Sequence, residues 1–70
     1  PIQYYIKNSK GELLAGTVNF EDAKKCADKY KKQYLKDEKT NNLGVQVFNR
    51  EGKNVYNCTN TNIEETEELE

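Results

Sequence analysis

The sequence contains the same four-residue turn signal twice. Asn8-Ser9-Lys10-Gly11 and Asn49-Arg50-Glu51-Gly52 both begin with asparagine and end with glycine. Asparagine suits the first position of a type I turn, and glycine supplies the positive φ of a following G1 bulge. The runs IQYYIK and LGVQVF, which precede the two turns, alternate in the way that suits a strand with one buried face. The repeat therefore predicts two β-hairpins.

The geometry of these turns also predicts how the strands pair. In the first hairpin Asn8 faces Glu12, and the expected pairs are Lys7 with Leu13, Ile6 with Leu14, Tyr4 with Gly16 and Ile2 with Val18. In the second hairpin they are Phe48 with Asn54, Val47 with Val55, Gln46 with Tyr56 and Val45 with Asn57. This register places the even-numbered apolar residues of the first hairpin on one face, and a slip of one residue would move them to the other.

Residues 19–36, NFEDAKKCADKYKKQYLK, predict one amphipathic helix between the hairpins. Asn19 is a suitable N-cap, with Asp22 three residues later as a capping-box partner. Acidic residues occupy the first turn and lysines the last, which complements the helix dipole. The apolar positions recur at helical spacing: Phe20, Ala23, Ala27, Tyr30 and Tyr34.

The predicted fold is a single α+β domain over residues 1–59, in the order β-β-α-β-β, with one helix packed on one face of a four-stranded sheet. This element order resembles that of the small bacterial immunoglobulin-binding domains. The hairpins meet either through their first and last strands, which gives a mixed β-grasp sheet, or through other edges. The expected core consists of Ile2, Tyr4, Ile6, Leu14, Val18, Phe20, Ala23, Ala27, Tyr30, Tyr34, Leu43, Val45, Val47 and Val55.

Charge is divided unevenly along the chain. Residues 1–60 carry all 11 basic side chains and a net charge of +4, whereas residues 61–70 carry five glutamates and no base. Residues 60–70 are therefore expected to form an acidic, disordered tail. The terminal Leu69-Glu70 also resembles the linker that often precedes a purification tag, in which case the tail has four native glutamates. No targeting or membrane-spanning segment is recognised, which favours a cytoplasmic location.

The residue types required for most catalysis are missing or poorly placed. The sequence has no histidine, and therefore lacks the commonest general base and metal ligand. Ser9 lies at a turn tip, and Cys26 and Cys58 have no obvious activating partner. These two cysteines are interpreted as a free, partly buried pair rather than a disulfide. The prediction is a protein without enzymatic activity, with no catalytic, cofactor-binding or metal-binding residues.

Two surfaces remain as candidate binding sites, and the first is the sheet face away from the helix. The expected register points six side chains outward there: Tyr5, Leu13, Ala15, Gln46, Phe48 and Tyr56. Exposed apolar area of this kind marks a contact with a protein partner or a second copy. It also suits stacking of single-stranded nucleic acid, with Lys7 and Lys53 near the phosphates. Alternatively, the aromatic residues form cross-strand pairs that only stabilise a thin sheet.

The second surface is a row of lysines on the exterior of the helix: Lys25, Lys29, Lys32 and Lys36. It is either an ordinary solvated helix face or a contact for an anion. The anion would be nucleic-acid phosphate, an acidic partner or the acidic tail of this chain. The sequence thus favours a small non-enzymatic module for protein interaction or self-association, with a nucleic-acid-binding domain as the alternative, and no membrane partner.

Overall fold

A computed structural model describes residues 1–58 of the chain, and the predicted disordered tail, residues 60–70, lies outside these residues. The predicted order β-β-α-β-β is confirmed. The elements are β1 (Tyr4–Asn8), β2 (Leu13–Thr17), α1 (Phe20–Leu35), β3 (Val45–Asn49) and β4 (Asn54–Cys58). The four strands form one sheet, and α1 packs against it.

The strand order is β2-β1-β3-β4, and every neighbouring pair is antiparallel. The hairpins therefore meet through their first strands, β1 and β3, and the mixed β-grasp alternative is wrong for this chain. In the central pair Tyr5 lies opposite Phe48, and Ile6 lies opposite Val47. Since side chains alternate between faces along a strand, the first of these pairs points away from the helix and the second points towards it.

Both predicted turns are confirmed. Gly11 and Gly52 have φ values of 83° and 85°, in the region where glycine is favoured. The Oδ1 of Asn8 accepts hydrogen bonds from the backbone N–H groups two and four residues later, at 2.9 and 3.0 Å. Asn49 makes the same two bonds, at 3.0 and 2.9 Å. The repeated sequence thus produces the same turn twice.

Beyond these turns, each hairpin contains a β-bulge that the predicted register lacked. Lys7 pairs with Leu13 as expected, but Ile6 then pairs with Ala15, because Leu14 is an extra residue on β2. In the second hairpin Val55 is extra, so that Val47 pairs with Tyr56. A bulge shifts the following residues by one position and thereby moves each of them to the opposite face. The predicted pairs beyond each bulge are consequently wrong.

The core lies between the central strands and the middle of α1. Its buried residues are Ile6, Ala23, Ala27, Val45, Val47 and Cys58. Half-buried residues pack around them, including Leu14 and Val55 of the two bulges. The expectation for Ile2 and Val18 is wrong, because these side chains are 45% and 63% exposed. Val18 follows the bulge on β2, and Ile2 lies before the first residue of β1, where the alternation of that strand no longer determines its side.

The helix begins as expected, because the Oδ1 of Asn19 accepts a hydrogen bond from the backbone N–H of Asp22 at 2.8 Å. The Phe20 ring lies on the helix side of the sheet near Tyr4 and Tyr56, with ring centroids 5.5 and 6.4 Å away. The tyrosines of α1 also reach the first hairpin. The hydroxyl of Tyr30 donates to the Leu14 carbonyl at 3.1 Å, and this bond holds the bulge against the helix.

Candidate functional site

The sheet face opposite α1 is the main candidate site, and the two bulges determine which residues it contains. One row across this face joins Gly16, Tyr5, Phe48 and Asn54, each directly opposite the next. The next row joins Leu13, Lys7, Gln46 and Asn57. Residues directly opposite in neighbouring strands project from the same side of the sheet. The face therefore has an aromatic row beside a mixed apolar and polar row.

Four of the six residues predicted for this face lie on it, and two do not. Tyr5, Leu13, Gln46 and Phe48 are in the rows described above. Ala15 and Tyr56 lie on the helix side, where both pack against the core. The bulges turn them inward, because Ala15 follows the extra residue Leu14 and Tyr56 follows the extra residue Val55.

A groove of about 400 Å³ runs along this face from the first turn to the second. Tyr5, Lys7 and Leu13 line its middle, Gly11 lies at one end, and Arg50 and Gly52 lie at the other. Leu13 is 61% exposed, a large fraction for a leucine within a strand. The groove thus combines apolar contact area with two cationic side chains.

Lys7 and Arg50 form no salt bridge with any carboxylate among residues 1–58. The Lys7 ammonium lies 5.6 Å from the centroid of the Phe48 ring, within the range of a cation–π contact. This contact holds the charge above the aromatic row. Arg50 was not predicted as a site residue, although its place inside the second turn was evident from the sequence. Its approach to Tyr5 depends on the pairing of β1 with β3, which the sequence did not specify.

The lysines of the predicted row differ in exposure. Lys25, Lys29 and Lys36 are exposed, whereas Lys32 is half-buried. Glu21, which precedes the row, forms its salt bridge with Lys24 at 3.1 Å. The row therefore presents three exposed cations on the helix, on the opposite side of the protein from the groove.

A third polar cluster connects α1 to β4. The Oδ1 of Asp28 accepts hydrogen bonds from the Tyr56 hydroxyl and the Cys58 thiol, both at 2.9 Å. Burial, together with the neighbouring Asp28 carboxylate, raises the pKa of both groups well above their ordinary values. The pKa of the other thiol, Cys26, is also raised, mainly by burial. Because a thiolate is the nucleophilic form of cysteine, raised pKa values make these thiols poor nucleophiles at neutral pH.

Both cysteines are free in the structure. Among residues 1–58, no group of three or more histidine, cysteine or carboxylate side chains is placed to hold a metal ion. No helix in this part of the chain is long and apolar enough to cross a membrane.

Comparison with known proteins gives no relative of this chain. No family model matches it, and no curated protein or solved structure is significantly similar to it. The function must therefore be argued from the surfaces themselves.

Proposed function

We propose that the protein is a small non-enzymatic module that recognises another polypeptide, a partner or a second copy, through the outer sheet face. The observation that carries this proposal is the groove, in which exposed Leu13 lies beside Tyr5 and two cations that have no carboxylate partner in the described part of the chain. Exposed aromatic and aliphatic side chains that adjoin a few charged groups are typical of protein-binding surfaces.

A selection experiment on the full chain tests this proposal. Random peptides displayed on phage would be selected against the immobilised protein, and the binders mapped by changes in its ¹H–¹⁵N spectrum. We expect changes centred on Tyr5, Leu13 and Phe48, and loss of binding in the double variant Tyr5→Ser/Phe48→Ser. Sedimentation velocity between about 10 μM and 1 mM would show whether the full chain self-associates. The same measurement on the double variant would show whether a second copy occupies this face.

The double variant must be folded for the comparison to be valid. Loss of a directly opposed cross-strand pair costs roughly 0.2–1 kcal/mol, which circular dichroism and urea unfolding would detect. The proposal fails if the full chain stays monomeric and no selected peptide distinguishes it from the double variant. The aromatic row would then serve only to stabilise the sheet.

Nucleic-acid binding is a second candidate function, and one observation favours it. Tyr5 and Phe48 lie side by side on the two central strands, as stacking residues do in sheets that bind single-stranded RNA. The exposed lysines of α1, on the opposite side of the protein, are an alternative contact for phosphate. Titration with single- and double-stranded oligonucleotides should then show affinity that falls steeply with salt. Absence of binding at low salt, in the full chain and in a variant with the tail glutamates changed to glutamine, would exclude this function.

A further inference from the structure

The groove on the outer face has a charge pattern that indicates what kind of polypeptide it binds. We infer that its ligand is an acidic peptide segment, in which an apolar or aromatic side chain lies between carboxylates. This inference rests on the proposed function and specifies the partner of the same face.

The charged side chains that line the groove are positive. Lys7 lines its middle and Arg50 one end, and none of the residues within 1–58 that line it is acidic. A ligand with carboxylates near both cations gains favourable electrostatic interactions, whereas a basic segment is repelled. The guanidinium of Arg50 is also able to bind a carboxylate through two parallel hydrogen bonds.

The groove also contains apolar surface, part of which, at Tyr5, lies between the two cations, because Tyr4 pairs with Asn49, the neighbour of Arg50. Tyr5 and Leu13 occupy the same stretch of the groove as Lys7, and Leu13 is largely exposed. An apolar ligand side chain placed there would remove this surface from water. The ligand therefore needs an apolar residue flanked by acidic residues, rather than a uniformly acidic run.

A second copy of this chain fits the groove less well than an acidic partner. A symmetric face-to-face dimer would bring the Lys7 and Arg50 of one protomer towards those of the other. Since neither cation has a salt-bridge partner within residues 1–58, this arrangement would oppose like charges in a closed interface. The charge pattern thus favours a different, acidic partner over self-association through this face.

The test uses the full chain and three blocked pentapeptides: Glu-Glu-Trp-Glu-Glu, Gln-Gln-Trp-Gln-Gln and Lys-Lys-Trp-Lys-Lys. Because the protein has tyrosines but no tryptophan, fluorescence excited selectively at tryptophan reports on the peptide alone. Binding would be measured at low salt by fluorescence and located by ¹H–¹⁵N shifts. We expect the acidic peptide to bind about five- to twenty-fold more tightly than the neutral one, with shifts at Tyr5, Lys7 and Leu13.

Charge-neutralising variants assign this preference to the groove. Lys7→Gln and Arg50→Gln should each weaken binding of the acidic peptide by about two- to five-fold, without affecting the neutral peptide. Lys29→Gln and Lys36→Gln are the matched controls, because both lysines are exposed, on α1 and at its C-cap, on the opposite side of the protein from the groove. Neither control should change the affinity by as much as two-fold.

Equal binding of the acidic and neutral peptides on this face would overturn the inference and leave the proposed function standing. If no peptide binds and the selection also yields none, the proposed function fails as well. Stronger shifts of the same residues with an octathymidine oligonucleotide than with the acidic peptide would assign the groove to nucleic acid.

Discussion

The buried lysine of α1 gives the sharpest prediction about stability. Lys31 is only 3% exposed, and its Nζ donates a hydrogen bond to the Leu43 carbonyl at 2.6 Å and a longer one to the Asn41 carbonyl at 3.4 Å. These carbonyls belong to the loop that leads from the helix into β3. The lysine thus fixes the start of the central strand that carries Phe48.

Replacing Lys31 with methionine keeps most of the side-chain volume but removes the donor. A hydrogen bond to a charged group contributes about 1.5–3 kcal/mol, and burial of methionine in place of an ammonium group offsets part of the loss. We therefore expect the free energy of unfolding to fall by roughly 1–3 kcal/mol. For a domain of this size, each kcal/mol corresponds to a decrease in Tm of about 4–8 °C.

Urea unfolding followed by circular dichroism would measure this change. Lys29→Met is the matched control, since Lys29 is exposed on the same helix and its substitution should alter stability by less than about 0.5 kcal/mol. Hydrogen exchange gives a second readout. The amide of Leu43, which is bonded to the Thr40 carbonyl at 2.9 Å, should exchange faster in Lys31→Met. If the two variants are equally stable, Lys31 does not fix the loop in the way described.

Two further predictions concern polar groups at the edges of the core. Because the pKa of the Cys58 thiol is raised by burial and by Asp28, the folded state keeps a proton that the unfolded chain loses above about pH 9. This group should therefore leave the free energy of unfolding unchanged below about pH 9 and lower it above that pH by up to about 1.4 kcal/mol per pH unit. Urea midpoints measured from about pH 7 to 10.5 would give this slope, which should be shallower in Cys58→Ala. In the turns, Asn8→Ala should cost about 1–2 kcal/mol more than Asn49→Ala in thermal unfolding, because Asn8 is buried and its Nδ2 also donates to the Glu12 carboxylate at 2.8 Å and to the Tyr34 hydroxyl at 3.2 Å. Equal losses in these two variants would show that these two additional bonds contribute nothing.

Sequence reasoning succeeded where the determinants are local. Each Asn-x-x-Gly segment specifies its own turn through an asparagine side chain and a positive-φ glycine, and Asn19 specifies the start of the helix. The same reasoning identified the aromatic outer face and four of its residues. These features depend on residues close together in the chain, and the structure confirms where they lie.

The predicted register was wrong where an extra residue interrupts the alternation of side chains along a strand. A bulge three residues after each turn glycine moved Ala15 and Tyr56 to the helix side, and the first bulge left Val18 outside the core. In the first hairpin a signal was present, because the run Leu13-Leu14-Ala15 breaks the alternation of a regular strand. The second hairpin has no comparable run of residues from which its bulge could be predicted.

The remaining features depend on contacts between distant segments. The pairing of β1 with β3 is not encoded in either hairpin alone, and it determines that Tyr5 lies beside Phe48. The burial of Lys31 has no local sequence signal, because the carbonyls that it binds are ten and twelve residues away in the loop. Arg50 likewise lines the groove because β1 pairs with β3.

Comparison of two surfaces in one binding assay tests the central claim most directly. The acidic pentapeptide would be titrated into Tyr5→Ser/Phe48→Ser, which alters the outer face, and into Lys25→Gln/Lys29→Gln/Lys36→Gln, which alters the helix exterior. Recognition by the outer face predicts that the first variant loses about ten-fold or more in affinity while the second changes by less than about two-fold. The opposite order of losses would contradict it and place binding on the lysines of the helix.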